Sequence, residues 1–275
     1  MEASPFILIE IDKQVLIFNE NLQILREQLK KKAIHDLRVA VKKLRSFLRL
    51  AEELDQINWE DAYQPIKNLF KTLGRQRDFE ICLAILNDIK RKKNIEFPLF
   101  RNYLRSNLRF SRRLSENSMK NFDGRFPQTL LDPMTKVFAP LSDSKLINLV
   151  KKIALSKLNK AENLKKNFNK EAHETRKMLK DVFYWIKASP ENIILNKKEL
   201  ALLEKILDLL GQWQDQVILL GKLRNFRKKY LLNGLEEYEL SVKIGGIILR
   251  WKKEIEKTVI TKCDQLIKLS APGPD

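Results

Sequence analysis

Residues 33–45 read AIHDLRVAVKKLR and hold one of the two histidines in the chain. If this stretch is helical, with about 100° between successive residues, its apolar and basic side chains separate onto opposite faces. The apolar face continues through Leu37, Ala40, Val41, Leu44, Phe47 and Leu48. The basic face carries Lys31, His35, Arg38, Lys42, Arg45 and Arg49, at spacings of 4, 3, 4, 3 and 4 residues. The stretch therefore predicts an amphipathic helix with its apolar side in a core.

These six basic residues, called the basic stripe below, form a seam of the kind that is normally apolar in packed helices. Lys43 flanks the seam, and the first acid on it is Glu53, one turn beyond Arg49. Like charges one helical turn apart destabilise a helix by roughly 0.2–0.5 kcal/mol per pair. A linear polyanion bound along the stripe would offset this repulsion, so the stripe is a candidate anion-binding surface. The alternative interpretation is that the stripe is an ordinary helix face exposed to solvent.

Two short motifs recur in the chain in the same order. The H-x-x-R pattern that begins at His35 returns at His173, 138 residues later. The sequence LGRQRD, which begins at Leu73, returns as LGQWQD at Leu210, 137 residues later, and both fit L-G-x-x-x-D. Matched motifs at nearly the same separation indicate an internal duplication. The predicted division is one domain, 1–275, with repeat halves at roughly 1–138 and 139–275.

The second copy of the stripe keeps only part of its charge. Counted from His173, Arg176 and Lys180 remain basic, while Asp181 and Phe183 stand where the first copy has Lys and Arg. The remaining positions hold Asn169 and Lys187, with Lys177 at the flank. This copy therefore supports an anion-binding interpretation more weakly than the first.

The composition, with few glycines and prolines, favours helices and supplies few of the turn signals that a β fold needs. The predicted helices span roughly 14–54 with a break near 30, 59–73, 76–93 and 97–120, then 144–188 with a break, 197–210, 213–231 and 235–268. Between the two groups lies a seam with Gly124, Pro127, Pro133 and Pro140, where helices should stop. The predicted fold is therefore all-α, with two four-helix halves.

The L-G-x-x-x-D motif has a structural interpretation that we prefer to a catalytic one. Gly74 and Gly211 fall where one predicted helix ends and the next begins, the usual position of a C-terminal capping glycine. Asp78 and Asp215 would then lie in the first turn of the next helix, where a carboxylate suits the helix dipole. The motif predicts a helix–turn–helix corner.

The charge balance points to an anionic partner. The chain has 53 Lys and Arg against 35 Asp and Glu, a formal net charge of +18. Self-repulsion of this size is better tolerated when a polyanion is bound, and nucleic acid, an anionic membrane surface and polyphosphate are the candidates. The other interpretation is that a lysine-rich surface reflects overall composition.

Cysteine usage and hydropathy predict the compartment. Cys82 and Cys263 are too few and too far apart in sequence for a disulfide framework or a zinc site, which favours a reducing compartment. The N-terminal apolar runs are broken by charges, so they predict no signal peptide. No uncharged apolar run is long enough for a membrane span. We expect a cytoplasmic protein.

A second row of arginines consists of Arg101, Arg105, Arg109 and Arg112. Steps of 4, 4 and 3 residues place the row on one helical face. These side chains could form another wall of the same anion site or face solvent, and the sequence does not decide between the two.

Four segments of the chain resemble the CHAD family, whose name stands for conserved histidine α-helical domain. They are HDLRVAVKKLRSFLRL at 35–50, LGRQRDFEICLAIL at 73–86, HETRKMLKDVFYW at 173–185 and LGQWQDQVILL at 210–220. The resemblance implies two four-helix units related by a pseudo-two-fold axis, with the histidine-bearing helices lining a basic central groove or pore. It also implies binding of inorganic polyphosphate and association with polyphosphate granules. The residues that it assigns to the ligand are His35, Arg38, Lys42, Lys43, Arg45, His173, Arg176 and Lys180.

The main alternative is binding of single-stranded RNA or DNA through the same basic surface. Aromatic residues near the cations could stack on bases: Phe47, Tyr103, Phe110 and Tyr184. An enzyme is not expected, because no P-loop, G-x-S-x-G or H-E-x-x-H motif is present and two histidines are few for a metal site. We predict no cofactor and no metal, and the sequence identifies no protein partner.

Overall fold

A computed structural model describes residues 5–55, 59–190 and 194–270. The helices are α1 (Phe6–Glu27), α2 (Lys31–Asp55), α3 (Trp59–Lys93), α4 (Pro98–Lys120), α5 (Phe126–Phe138), α6 (Asp143–Asn159), a short 3-10 helix (Lys160–Lys165), α7 (Phe168–Ala188), α8 (Lys197–Tyr230) and α9 (Glu236–Ser270). These ranges contain no β-strand, which confirms the all-α class. Within the same ranges, no helix is both long and apolar enough to cross a membrane.

Helices that are neighbours in the chain pack along each other: α1 on α2, α3 on α4, α6 on α7 and α8 on α9. The first four helices and the last four therefore follow the same order, with α5 between them, packed against α1, α2 and α3. Across the two groups, α2 contacts α7 and α3 contacts α8. These contacts bring the two H-x-x-R helices together. The pseudo-two-fold relation between the halves stays a prediction.

The apolar face predicted for α2 is buried, as its amphipathic pattern requires. Its six residues lie in the larger of two clusters of buried apolar side chains. That cluster crosses the α2–α7 contact, where the buried indole of Trp185 donates a hydrogen bond to the Ser46 carbonyl oxygen at 3.0 Å. The smaller cluster joins α3, α4, α8 and α9 through residues such as Phe100 and Phe226. The basic stripe is thus carried by a helix that is fixed on its opposite side.

The predicted helix–turn–helix corners at Gly74 and Gly211 are wrong. Both glycines lie inside single long helices, α3 of 35 residues and α8 of 34 residues. Neither has the positive φ of a capping glycine, which occurs instead at Gly124 and Gly234. The reason for glycine at these positions is instead the close approach of an arginine side chain from a neighbouring helix.

The Gly- and Pro-rich seam between the halves contains a helix that the sequence analysis did not predict. In the 13-residue helix α5, Pro127 occupies the first turn, where a missing N–H breaks no helical hydrogen bond. Phe126, Leu130 and Met134, each four residues apart, are fully buried. Their burial stabilises α5 even though Pro133 lies inside it.

Candidate anion-binding site

A cavity of about 380 Å³ opens between α2, α3, α7 and α8, and we call it the α2–α7 cavity. Its basic or protonatable lining residues are His35, Lys42, Arg77, Arg176 and Lys180. The acids in its lining come from α8 and are Glu204, Asp208 and Asp215. Both copies of the H-x-x-R helix therefore contribute cations to one concave surface.

Arg38 is held against α3 and does not line this cavity. It is 9% exposed, its Nη1 donates a hydrogen bond to the Phe70 carbonyl oxygen at 2.7 Å, and its guanidinium carbon lies 4.3 Å from the centroid of the Phe70 ring. A Cβ atom at Gly74 would come within 3.0 Å of Nη1. Arg45 follows along the same side, with its guanidinium carbon 5.2 Å from the Tyr63 ring centroid. Gly74 therefore makes room for the arginine of the first motif.

Arg176 repeats this arrangement in the second half. A Cβ atom at Gly211 would lie 3.5 Å from its Nη2. Its Nε has no hydrogen-bond partner in the described part of the chain, and unlike Arg38 it lines the α2–α7 cavity. Burial lowers the pKa of Arg176, whereas the nearby carboxylate of Asp215 raises it. In each half, the arginine of H-x-x-R thus packs on the glycine of L-G-x-x-x-D.

The aspartates of the second motif are half-buried side chains in the middle of α3 and α8, not first-turn residues as predicted. Burial raises the pKa of Asp78, and the cations Lys222 and Arg38 lower it. Burial also raises the pKa of Asp215, against the lowering effect of Arg77. Both carboxylates therefore act as partial counter-charges beside the motif arginines.

Lys42 is the most strongly perturbed cation in the cavity. Burial, followed by repulsion from Lys180 and Arg38, lowers the pKa of Lys42 to about 6. Burial and the charge of Arg176 lower the pKa of Lys180 to about 8. In the free protein at neutral pH, the Lys42 amine is therefore mostly neutral, and a bound anion would favour its protonation.

The two histidines have different surroundings. His35 is exposed at the edge of the cavity, and burial together with the charge of Arg77 lowers its pKa. His173 is also exposed but does not line the cavity, and its Nδ1 lies 3.2 Å from Oε1 of Gln214. Gln214 occupies the position in the second motif that Arg77 has in the first. The first histidine is thus the one that faces the cations.

One cation of the basic stripe and the lysine at its flank are already paired with acids, which corrects the expectation of an unrelieved row of cations. Arg49 forms an ion pair with Asp181 of α7, and Lys43 forms one with Glu10 of α1 at 3.1 Å. Lys31, at the start of α2, is exposed. The sequence of a single helix did not predict these pairs because both acids belong to other helices.

The arginine row of α4 lies apart from the α2–α7 cavity. None of its four members, Arg101, Arg105, Arg109 and Arg112, lines that cavity. Arg101 contacts the side-chain oxygen of Asn87, and Arg112 lies 3.5 Å from a carboxylate oxygen of Glu80. The structure therefore does not bring this row together with the stripe, and its role in anion binding stays a prediction.

Two further lysines of α7 that the sequence analysis assigned to the site also lie outside the cavity lining. Lys177 forms an ion pair with Glu174 at 2.8 Å, and Lys187 is exposed, with its ammonium 5.7 Å from the Phe183 ring centroid. Of the basic residues predicted on α7, Arg176 and Lys180 are the two that line the cavity, together with the aromatic Tyr184.

Arg77 is a cavity residue that the sequence analysis missed. Its charge lowers the pKa of His35 and Lys42, and it lies in the cavity lining. The signal was present in LGRQRD, because Gly74, Arg77 and Asp78 share one face when the helix is continuous. Interpreting the motif as a corner separated these residues and concealed the pattern.

Among residues 5–55, 59–190 and 194–270, no group of three or more histidines, cysteines or acids is arranged to hold a metal ion. Cys82 and Cys263 are both buried, and burial raises the pKa of each thiol to about 12. The cavity instead offers charged N–H donors, which suit phosphate or carboxylate oxygens.

The fold and the cavity define an all-α protein in which two packed helices with a common motif present cations to one concave surface. The family model of the CHAD domain matches residues 11–224, so the chain belongs to the CHAD family, as its sequence motifs indicated. The structure is also similar to the crystal structure of the CHAD domain from the plant Ricinus communis. That match has a TM-score of 0.71 at 16% sequence identity and covers 96% of this chain and 93% of the other. No curated protein sequence matches the chain.

Proposed function

We propose that this protein binds inorganic polyphosphate in the α2–α7 cavity. The CHAD family is associated with polyphosphate binding in general. The observation that carries the proposal for this chain is the convergence of His35, Lys42, Arg77, Arg176 and Lys180 on one cavity. Phosphate oxygens accept charge-assisted hydrogen bonds from such groups, which are stronger than bonds between neutral partners.

The strained charge state of Lys42 supports a highly charged ligand. Four cations act on its amine, and burial together with their repulsion accounts for its lowered pKa. A bound chain of phosphates would offset the repulsion among all of these groups at once, because each phosphate contributes a negative charge. A ligand with a single charge would relieve only part of it.

Binding without turnover is part of the proposal. Nucleophilic catalysis by histidine generally requires a group that orients the imidazole and accepts its proton. In the described part of the chain, the side chain hydrogen-bonded to a histidine ring is the amide of Gln214, at His173. The basic residues of the cavity are suited to holding an anion. The proposal further places the protein at polyphosphate granules in the cytoplasm, which co-localisation in intact cells would test.

The test is titration of the full chain with polyphosphate of defined length at fixed salt. We expect Arg176→Glu/Lys180→Glu to weaken binding at least 100-fold, because it removes two cavity cations and adds two negative charges. The matched control is Lys177→Glu/Lys187→Glu, which makes the same charge change on the same helix outside the cavity lining. Equal losses in the two double variants would show that net charge, and not the cavity, determines binding.

Competition addresses the nucleic-acid alternative. Single-stranded RNA at the same phosphate concentration and salt should displace polyphosphate poorly, because its bases and sugars need space that a bare phosphate chain does not. If RNA binds as well as polyphosphate and is equally sensitive to the Arg176→Glu/Lys180→Glu change, the ligand assignment is wrong.

A further inference from the structure

A second cavity, of about 420 Å³, lies between α3, α8 and α9, and we call it the α9 cavity. It adjoins the α2–α7 cavity, since Gln212 and Asp215 line both. Its charge has the opposite sign: Asp88, Asp215 and Glu254 line it, against the single cation Lys92. An acidic concavity in a chain of formal net charge +18 suggests a cationic ligand.

Three acceptor groups in the lining lack hydrogen-bond donors among the described residues. The carboxylates of Asp215 and Glu254 take part in no hydrogen bond or ion pair with any described residue, although cations of the α2–α7 cavity act on Asp215 from a longer distance. Gln216 is only 7% exposed, and its Oε1 likewise has no partner among the described residues. Asp88, by contrast, already pairs with Arg91 at 2.8 Å. Of the three acceptor groups only that of Gln216 is buried, whereas Asp215 is half-buried and Glu254 is exposed. A buried acceptor without a donor is costly, so a ligand that supplies an N–H group to Gln216 would stabilise this cavity.

The remaining walls suit methylene groups and an ammonium ion. Ile85 and Ile255 provide apolar surface, and Trp251 presents an aromatic ring. The ammonium of Lys92 already lies 5.4 Å from the centroid of the Trp251 ring. This contact shows that the Trp251 ring attracts an ammonium group, through the quadrupole of the indole, and a ligand's alkylammonium group would compete with Lys92 for it.

We propose that the α9 cavity binds an aliphatic polyamine, a cation in which ammonium groups are joined by methylene chains. The carboxylates of Asp215 and Glu254, with Oε1 of Gln216, would accept hydrogen bonds from the ammonium groups. The isoleucines and Trp251 would contact the methylenes between them. The ligand class follows from this combination of separated acceptors and apolar walls, and the proposal does not depend on polyphosphate binding.

The probe is spermidine, titrated calorimetrically into the polyphosphate-free full chain at constant ionic strength. We expect saturable binding at one site, weakened at least tenfold by Glu254→Gln. Glu239→Gln is the matched control, because it removes an exposed acid from the same helix outside the cavity lining and should leave binding unchanged. Trp251→Leu should weaken binding, whereas Trp251→Phe should retain most of it because an aromatic ring face remains.

Two results would overturn the proposal. One is spermidine binding that is absent, unsaturable, or equally affected by Glu254→Gln and Glu239→Gln. The other is complete displacement of spermidine by magnesium chloride at the same ionic strength, which would assign the cavity to a divalent ion. Glu254 does not line the α2–α7 cavity, so Glu254→Gln should bind polyphosphate as the wild type does. Each proposal can therefore fail without the other.

Discussion

The guanidinium of Arg38 occupies the space that a side chain at Gly74 would need, with only 3.0 Å between its Nη1 and the position of a Cβ atom on that glycine. Arg176 stands in the same relation to Gly211, at 3.5 Å. The H-x-x-R and L-G-x-x-x-D motifs of each half are therefore two sides of one contact. The two motifs recur together because the arginine of one packs on the glycine of the other in each half.

Gly74→Ala should destabilise the protein and displace Arg38. The added methyl group has to push a buried guanidinium that is hydrogen-bonded to the Phe70 carbonyl oxygen at 2.7 Å. Alanine in a helix is otherwise favoured over glycine by about 1 kcal/mol. We expect that gain to be outweighed, with a net loss of about 1 kcal/mol in the free energy of unfolding, measured by urea denaturation.

Alanine substitutions at two glycines of α8 distinguish the effect of packing on stability from the effect of helix propensity. At Gly221, no atom of the described neighbouring residues lies within 4 Å of the position that a Cβ atom would take, so Gly221→Ala should stabilise the protein by up to about 1 kcal/mol. At Gly211, a Cβ atom would lie 3.5 Å from Arg176, so the effect of Gly211→Ala on the free energy of unfolding should lie between the effects of Gly74→Ala and Gly221→Ala. Equal effects at Gly74 and Gly221 would refute the role assigned to Arg38.

Lys42→Met should stabilise the folded protein while weakening polyphosphate binding. The pKa of Lys42 is lowered to about 6, so the folded state disfavours the ammonium that the unfolded chain carries at neutral pH. An apolar side chain of similar length removes that disadvantage, and we expect a gain of more than about 1 kcal/mol. Lys31→Met, at an exposed position on the same helix, should change stability little. A Lys42→Met variant with lower stability than the wild type would contradict this account.

Polyphosphate affinity should increase as the pH falls from about 8 to about 6. Lys42 has a pKa of about 6 in the free protein, where the charges of Lys180, Arg38 and Arg77 act on it after burial. A bound polyanion raises this pKa. At a pH between the Lys42 pKa of the free protein and that of the complex, the complex therefore holds more protons than the separated partners. Affinity therefore increases as the pH falls through that window and levels off below its lower end.

Calorimetry in buffers of different ionisation enthalpy would measure the proton uptake directly. Lys42→Met should remove most of it. His35→Ala should flatten the remaining dependence near the lower end of the window, because the pKa of His35 is also lowered in the free protein. A pH profile unchanged in both variants would count against the cavity as the binding site.

Asp181→Ala should be destabilising because it breaks a largely buried ion pair with Arg49 at the α2–α7 contact. The two side chains are 20% and 10% exposed, so solvent can compensate only in part. We expect a loss of about 3 kcal/mol in the free energy of unfolding. Asp123→Ala, which breaks an exposed ion pair with Arg125, should cost much less, because solvent screens that pair. Similar losses in both variants would mean that the Arg49 pair is no more important than a surface one.

Much of the fold followed from local patterns. The helical character of the chain, the buried face of α2 and the break before Lys31 could be predicted because side-chain periodicity is a property of a single helix. The helix corners at Gly74 and Gly211 were wrong, since a glycine has the same local signature whether it ends a helix or admits a neighbouring side chain. Helix α5 was missed because burial against other helices outweighed its prolines.

For the site, the sequence by itself determined which side chains are basic, their spacing along α2 and the recurrence of the motifs, because all of these are properties of the covalent chain. The tertiary structure alone decided which cations remain available. It paired Arg49 with Asp181, placed a half-buried Lys42 among other cations and added Arg77 from α3. The physical reason is that electrostatic energy depends on distances and burial set by packing between helices, which the order of residues along any one helix does not contain.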